Sequence, residues 1–383
     1  MEIRRFLTLV AALLLGMGVR AQSFTEQEVR LTIVREPARD AHDTMLLAGT
    51  LTMPTKVRGK VPAVILITGS GAQNRDEELM GHRPFKVIAE YLSTRGYAVL
   101  RCDDRGVGGS TGDMAHATTL DFANDVEHQL MYLQSPRANL NIDPKRIYLF
   151  GHSEGATVAA IVAAGRASTL NPVAGVAMLG GAGVDGKTLL LQQNKALFRL
   201  RGVADSLVQR RLACMRELFN VCDTLFLGKD ADTVKTLNLA FRPLFKKHSE
   251  GLTKEQKQQI GLTNGECYGW ALTVATPWMR TFLTLNPADY IAQMRCPLLA
   301  LGGEMDCQVP TEENFEAIAD VCQRNNIPYD VTLLAGINHL GQMCETGSVD
   351  EYATLGQAPD DMVLETLVNW LDSIAKPSKR NKK

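Results

Sequence analysis

Three well-separated side chains in this 383-residue chain have the types needed for acyl-transfer chemistry: Ser153, Asp306 and His339. Ser153 stands in RIYLFGHSEGATVAAIVAAG, Arg146 to Gly165, where an apolar run leads into a turn with small residues and then an alanine-rich segment. A strand, a tight turn at Gly151 and Gly155, and an immediate helix together form the pattern of a nucleophile elbow. The helix N-terminus behind the serine favours negative charge near the reacting atoms. An ordinary strand–turn–helix with an incidental serine is the plain alternative, and partners elsewhere in the chain decide between them.

A serine hydroxyl is a weak nucleophile and needs a base within hydrogen-bond reach, held in turn by an acid. Of seven histidines, two follow the elbow helix, His248 and His339. His248 lies in the lysine-rich FKKHSEG and is expected to be solvated. His339 lies in LLAGINHLG, a loop just past a strand, where catalytic groups collect in parallel sheets. The acid is expected at the end of the preceding strand, in PLLALGGEMDCQVP. Asp306 sits deeper in that loop and is preferred, with Glu304 as the fallback. Asp330 is disfavoured because it falls within a strand expected to be buried on both sides. An oxyanion needs hydrogen-bond donors aimed at it. One is expected from the amide of Glu154, the other from Ser70 in ITGSGAQNRDEE, whose glycines free the backbone to turn inward. A phosphate cradle is the other reading of that loop, but neither GxxxxGK[ST] nor a helix-opening GxGxxG is present.

These groups need a parallel sheet to bring them together, and the hydrophobic pattern supplies one. Val29 to Arg35 and Met45 to Met53 read as an antiparallel strand pair. Further strands are expected at Val61 to Thr68, Tyr97 to Cys102, Arg146 to Phe150, Val173 to Leu179, Pro297 to Gly302 and Pro328 to Leu334. Helices are expected at Pro84 to Arg95, Thr119 to Leu133, Glu154 to Arg166, Glu312 to Asn325 and Asp360 to Ser373. The alternation breaks from Lys187 to Tyr290, about one hundred residues with no strand pattern, holding Trp270 and Trp278. Long insertions tend to be functional lids, so this one reads as a helical cap whose two tryptophans line an acyl pocket. The division is then residues 22–186 and 291–383 for the core, with residues 187–290 for the cap.

Hydrophobic residues make up 45 % of the chain, enough for a large core, and the formal net charge of −1 gives no reason to expect a nucleic-acid partner. The first 21 residues combine a basic start (Arg4, Arg5), about 14 apolar positions and Val19-Arg20-Ala21. That is the build of a cleaved secretory signal peptide and is too short for a membrane span. Export to the periplasm or medium is therefore expected. It would permit disulfides among the eight cysteines, whose pairing the spacing does not decide. With no CxxC, no zinc site is expected, and no cofactor is implied.

The segments GHSEG, GSGAQNRDE, RCDDRGVGGSTGD, GGEMDCQVP and GINHL together resemble the α/β-hydrolase superfamily. More narrowly, they resemble secreted bacterial esterases of the serine aminopeptidase and acyl-peptide hydrolase-like branch. The resemblance covers roughly Leu47 to Ala182 and Pro297 to Leu371. It implies a mostly parallel eight-stranded sheet flanked by helices, nucleophile Ser153, acid Asp306 and base His339. It departs from many lipases in lacking a His-Gly-Gly-Gly run in the oxyanion loop, and Asp104 and Arg105 in DDRGVGGS are expected to brace loops. The implied activity is that of a carboxylesterase on small acyl esters through an acyl-enzyme. An exopeptidase is the alternative, with Glu154, Asp76, Glu77 and Glu78 available to hold an α-amine. A non-catalytic binding protein on the same fold is a remote third reading.

Overall fold

The computed structural model describes residues 23–34, 44–165, 172–226 and 234–375. The leader expectation falls on residues 1–21 and lies outside them. Eight strands form one sheet: β1 (Phe24–Val34), β2 (Thr44–Pro54), β3 (Val61–Ile67), β4 (Ala98–Cys102), β5 (Ile142–His152), β6 (Gly175–Leu179), β7 (Leu298–Gly303) and β8 (Tyr329–Leu334). Their order is β1-β2-β4-β3-β5-β6-β7-β8. β1 pairs antiparallel with β2, and β2 with β4; all other pairs are parallel.

Both faces of the sheet are covered, which explains why the central strands are continuous apolar runs and not alternating ones. In β3, Ala63, Ile65 and Ile67 join the core on one face, while Val64 and Leu66 join the core on the other. The first face is closed by α2 (Thr119–Gln134), α3 (Glu154–Ala164) and α11 (Thr311–Asn325). The second is closed by α1 (Pro84–Ser93) and α12 (Asp361–Ala375). Each fully buried aliphatic side chain, Leu100 or Leu149 for example, contributes roughly 1.5–3 kcal/mol of burial. α2 starts on a reciprocal cap, Thr118 accepting from the Asp121 amide and Asp121 accepting from the Thr118 amide.

One expectation about the sheet needs correction. β8 is an edge strand with exposed Val331 and Leu333, not a strand buried on both sides. Asp330 is exposed there and accepts a hydrogen bond from Trp370 Nε1 at 3.0 Å. It is absent from the candidate site because it lies mid-strand at the sheet edge, not because its strand is closed in.

Between β6 and β7 the described residues form helices only: α4 (Gly186–Leu200), α5 (Asp205–Phe226), α6 (Val234–Ser249), α7 (Lys254–Gln259), α8 (Asn264–Ala275), α9 (Pro277–Thr284) and α10 (Pro287–Ile291). Most of them share a core of their own around Leu212, Phe219, Phe241 and Phe245, whereas Ile291 of α10 joins the core of the sheet. His248 belongs to this layer. Expected to be solvated, it is instead buried, with Nε2 3.1 Å from Glu217 Oε1 but outside hydrogen-bond geometry.

Candidate active site

The turn between β5 and α3 forces Ser153 into φ 54°, ψ −120°. A positive φ at a residue with a Cβ costs on the order of 1–3 kcal/mol and persists only where packing over-determines it. Here the packing allows no substituent on either side. A Cβ at Gly151 would lie 2.2 Å from the Gly155 carbonyl oxygen, and one at Gly155 would lie 2.2 Å from the Ile67 carbonyl oxygen. The Ser153 amide is anchored on the Leu179 carbonyl at 2.9 Å, which ties the elbow to the end of β6.

Asp306 and His339 arrive from the loops after β7 and β8, as expected for groups at the carboxyl ends of parallel strands. His339 Nδ1 meets Asp306 Oδ2 at 2.7 Å, and both residues are buried. Asp306 Oδ1 accepts the amides of Gln308 (2.9 Å) and Val309 (2.8 Å), so the carboxylate cannot swing. A carboxylate oxygen only accepts, so Nδ1 carries the ring proton and Nε2 keeps its lone pair. The fallback acid, Glu304, is exposed and accepts from the Gly336 amide at 3.2 Å, away from the imidazole. Gly180 makes room for the pair: a Cβ there would lie 2.9 Å from His339 Nδ1.

Ser153 and His339 line the same cavity, of ≈290 Å³, together with Leu189, Leu190, Trp278 and Phe282 from the helical insertion. Among the described residues no group takes the Ser153 hydroxyl. Such hydrogen bonds commonly tighten only once substrate is bound. The amides of Ser70 and Glu154 likewise have no acceptor among the described residues, whereas Gly69 N–H is taken by Glu77 Oε1 at 2.7 Å.

The two tryptophans part company. Trp278 lines the cavity, stacks on Phe282 with ring centroids 5.4 Å apart, and donates Nε1 to both carboxylate oxygens of Glu154 at 2.9 and 3.1 Å. Trp270, expected beside it in an acyl pocket, does not line the cavity. It packs edge-on against Phe219 and under Arg211 in the insertion's own core, because α8 presents it to α5 and not to the sheet.

The loop residues expected as braces act as braces. Asp104 accepts from Thr68 Oγ1 and the Gln73 amide, both at 2.9 Å, holding the loop that carries Ser70. Burial pushes its carboxyl up to about 7. Arg105 makes a two-pronged pair with buried Asp125 and reaches Asp121 at 3.0 Å. The acidic residues weighed for amine binding are engaged: Asp76 by Arg101, Glu78 by Arg83, and Glu154 by Trp278 and Thr119.

One site residue, His152, escaped the sequence reading, and another, Glu77, has a different task from the one expected. His152, directly before the nucleophile, places Nδ1 2.9 Å from Glu77 Oε1 and Nε2 3.0 Å from the His339 carbonyl oxygen. Glu77, weighed as a holder of a substrate α-amine, is instead buried with φ 51°. Its position in GHS next to the elbow was the one available signal for His152. Nothing local pointed to Glu77 as the partner of His152.

All eight cysteines are free thiols, seven of them buried. Among the described residues no group of three or more His, Cys, Asp or Glu could hold a metal ion, and no helix is long and apolar enough to cross a membrane.

The strand order, the elbow after β5, and the acid and histidine after β7 and β8 define an α/β-hydrolase. The chain has that fold and resembles bacterial esterases. The BD-FAE family model matches residues 50–208, a span that takes in Ser70 and Ser153 and stops before Asp306 and His339. Esterase EstD of Thermotoga maritima is 22% identical over 326 residues, which is 85% of this chain and 65% of that relative, so the chain spans less than two thirds of its length. Among solved structures, a candidate dipeptidyl aminopeptidase IV from Bacteroides ovatus is 12% identical with a TM-score of 0.50, covering 92% of this chain and 36% of that one. The α/β hydrolase GrgF from Penicillium sp. sh18 is 16% identical with a TM-score of 0.49, covering 91% of this chain and 100% of that one.

Proposed function

We propose that the protein is a serine carboxylesterase acting on short-acyl esters through an acyl-enzyme, exported after loss of its first 21 residues. The carrying observation is that strained Ser153 and His339, itself paired with Asp306, line one small cavity. Ser153 Oγ attacks the ester carbonyl carbon while His339 Nε2 takes its proton. The tetrahedral oxyanion is held by the Ser70 and Glu154 amides, and the imidazolium by Asp306. Collapse expels the alcohol, which takes the proton from His339. Water, deprotonated by the same histidine, then attacks the acyl-enzyme, and release of the acid restores Ser153.

Cavity size favours short acyl groups, since ≈290 Å³ is at the small end for ligand pockets. The ester reading is preferred over the exopeptidase because the acidic side chains that could hold an α-amine are already hydrogen-bonded or ion-paired within the protein. The name of the Thermotoga maritima relative agrees with it.

A fluorophosphonate probe tests the nucleophile: it should label the wild type and leave Ser153→Ala unlabelled. Comparing kcat/KM for acetyl and butyryl p-nitrophenyl esters with aminoacyl and dipeptidyl anilides tests the substrate class. An advantage for the anilides overturns the esterase in favour of the peptidase.

A further inference from the structure

His152 is buried between two loops at the edge of the cavity, and each ring nitrogen faces an oxygen. Nδ1 is 2.9 Å from Glu77 Oε1, and Nε2 is 3.0 Å from the backbone carbonyl of His339. A carbonyl oxygen only accepts. Glu77 Oε1 already accepts the Gly69 N–H at 2.7 Å, so it too faces the ring as an acceptor. A neutral imidazole has one donor and cannot satisfy both positions. A buried nitrogen lone pair turned on an oxygen would be repelled and unsatisfied.

We propose that His152 is held as an imidazolium paired with Glu77, and that this ion pair positions the His339 loop against the elbow and sets the charge beside the catalytic imidazole. His152 is a positioning residue, and its role in turnover rests on the reading of His339 as the base. Burial by itself pushes the His152 imidazole down. The charge and hydrogen bond of Glu77, with the His339 carbonyl, outweigh it and hold it above its ordinary value.

The geometry gives the pair two tasks. It links three separate segments: Glu77 and Gly69 from the loop after β3, His152 from the elbow, and His339 from the loop after β8. It also places a cation next to the base, since the His152 and His339 rings are 4.9 Å apart. The other charged group acting on His152 is Asp306, across His339, and Asp104 lies within electrostatic reach of Glu77 and Glu154. When His339 takes the serine proton, two imidazolium rings face two carboxylates, Asp306 and Glu77, and the negative charge that develops sits on the oxyanion, held by main-chain amides. Without the cation of His152, Glu77 would favour a proton on His339 in the resting enzyme and withdraw the base.

Two measurements test this. In protein labelled with 15N-histidine at pH 7.5, His152 should show two protonated ring nitrogens, one of which is lost in Glu77→Gln. A single protonated nitrogen in the wild type overturns the proposal. That readout needs no activity, so it is separable from failure of the esterase reading. In the pH profile of kcat/KM, His152→Gln should move the acid limb up by about one pH unit, tenfold in the ionisation equilibrium. Adding Glu77→Gln to His152→Gln should return the limb toward the wild-type position, because the unbalanced carboxylate is gone. Loss of packing alone lowers the rate without moving the limb, and an unmoved limb overturns the proposal. Should His152→Gln fail to fold, the nitrogen spectrum of the wild type decides alone.

Discussion

Trp278 of the helical insertion donates its indole N–H to the carboxylate of Glu154, the residue that follows the nucleophile in the chain. Glu154 also accepts from Thr119 Oγ1 at 2.6 Å, at the first turn of α2. One carboxylate thus fastens the insertion, the elbow helix and α2 at a single point beside Ser153. Hydrogen bonds to a charged group are worth about 1.5–3 kcal/mol, so this is a firm attachment and not a passing contact.

Trp278→Phe should therefore loosen the insertion over the cavity and alter acyl preference. The ratio of kcat/KM between hexanoyl and acetyl esters is expected to change by about fivefold or more, on the scale of one methylene contact. Trp270→Phe should leave that ratio unchanged, and Trp270→Ala should cost about 2 kcal/mol of stability, below the fully buried figure because the ring is only half-buried. Equal ratios in both variants would remove Trp278 from the specificity determinants.

Ser153→Ala and His339→Ala should each reduce kcat by a factor of about 10³ or more with the fold intact, and Asp306→Asn should be severe as well. Glu304→Gln should be close to wild type, because its carboxylate is exposed and bonded to Gly336. Steady-state kinetics with circular dichroism as a folding check decides the matter. A dead Glu304→Gln alongside an active Asp306→Asn would reverse the acid assignment.

The second oxyanion donor proposed here is the main-chain amide of Ser70, so side-chain deletion should not remove it. Ser70→Ala is expected to stay near wild type, whereas Ser70→Pro, which lacks the amide hydrogen, should lose about 10²–10³ in kcat. An equal effect of the two substitutions, with unchanged melting temperature, would assign the function to the hydroxyl.

Asp104 makes stability depend on pH in a direction that follows from its burial. Its carboxyl is held up at about 7 in the folded chain, well above the ordinary carboxylate value it regains on unfolding. Between roughly pH 4 and 7 the folded state therefore binds more protons than the unfolded state, and this group's contribution falls as pH rises through that window. Urea midpoints at pH 5 and pH 8 should show a smaller decline for Asp104→Asn than for the wild type. An identical decline in both proteins would contradict the assignment.

Export is open to a direct check. Chains recovered from the producing cell should begin at Gln22 and fractionate outside the cytosol. Retention of Met1, or activity confined to the cytosol, would sink this reading.

The chain sequence by itself determined the sheet, the elbow and the acid–histidine pair, because each is encoded locally. Runs such as VPAVILI announce a strand covered on both faces, and GHSEG marks a turn that only small residues permit. Asp306 and His339 were legible from chain order and their places just past strands. What the tertiary structure alone decided involves partners distant in sequence. His152 meets a carboxylate 75 residues earlier and a carbonyl 187 residues later, and no spacing rule encodes either contact. The fates of Trp270 and Trp278 diverged for the same reason. Both are tryptophans in one helical stretch, but one faces Phe219 within the insertion and the other faces Glu154 across it. A local pattern states which residues are apolar or strained; which surface each one meets depends on how the layers pack.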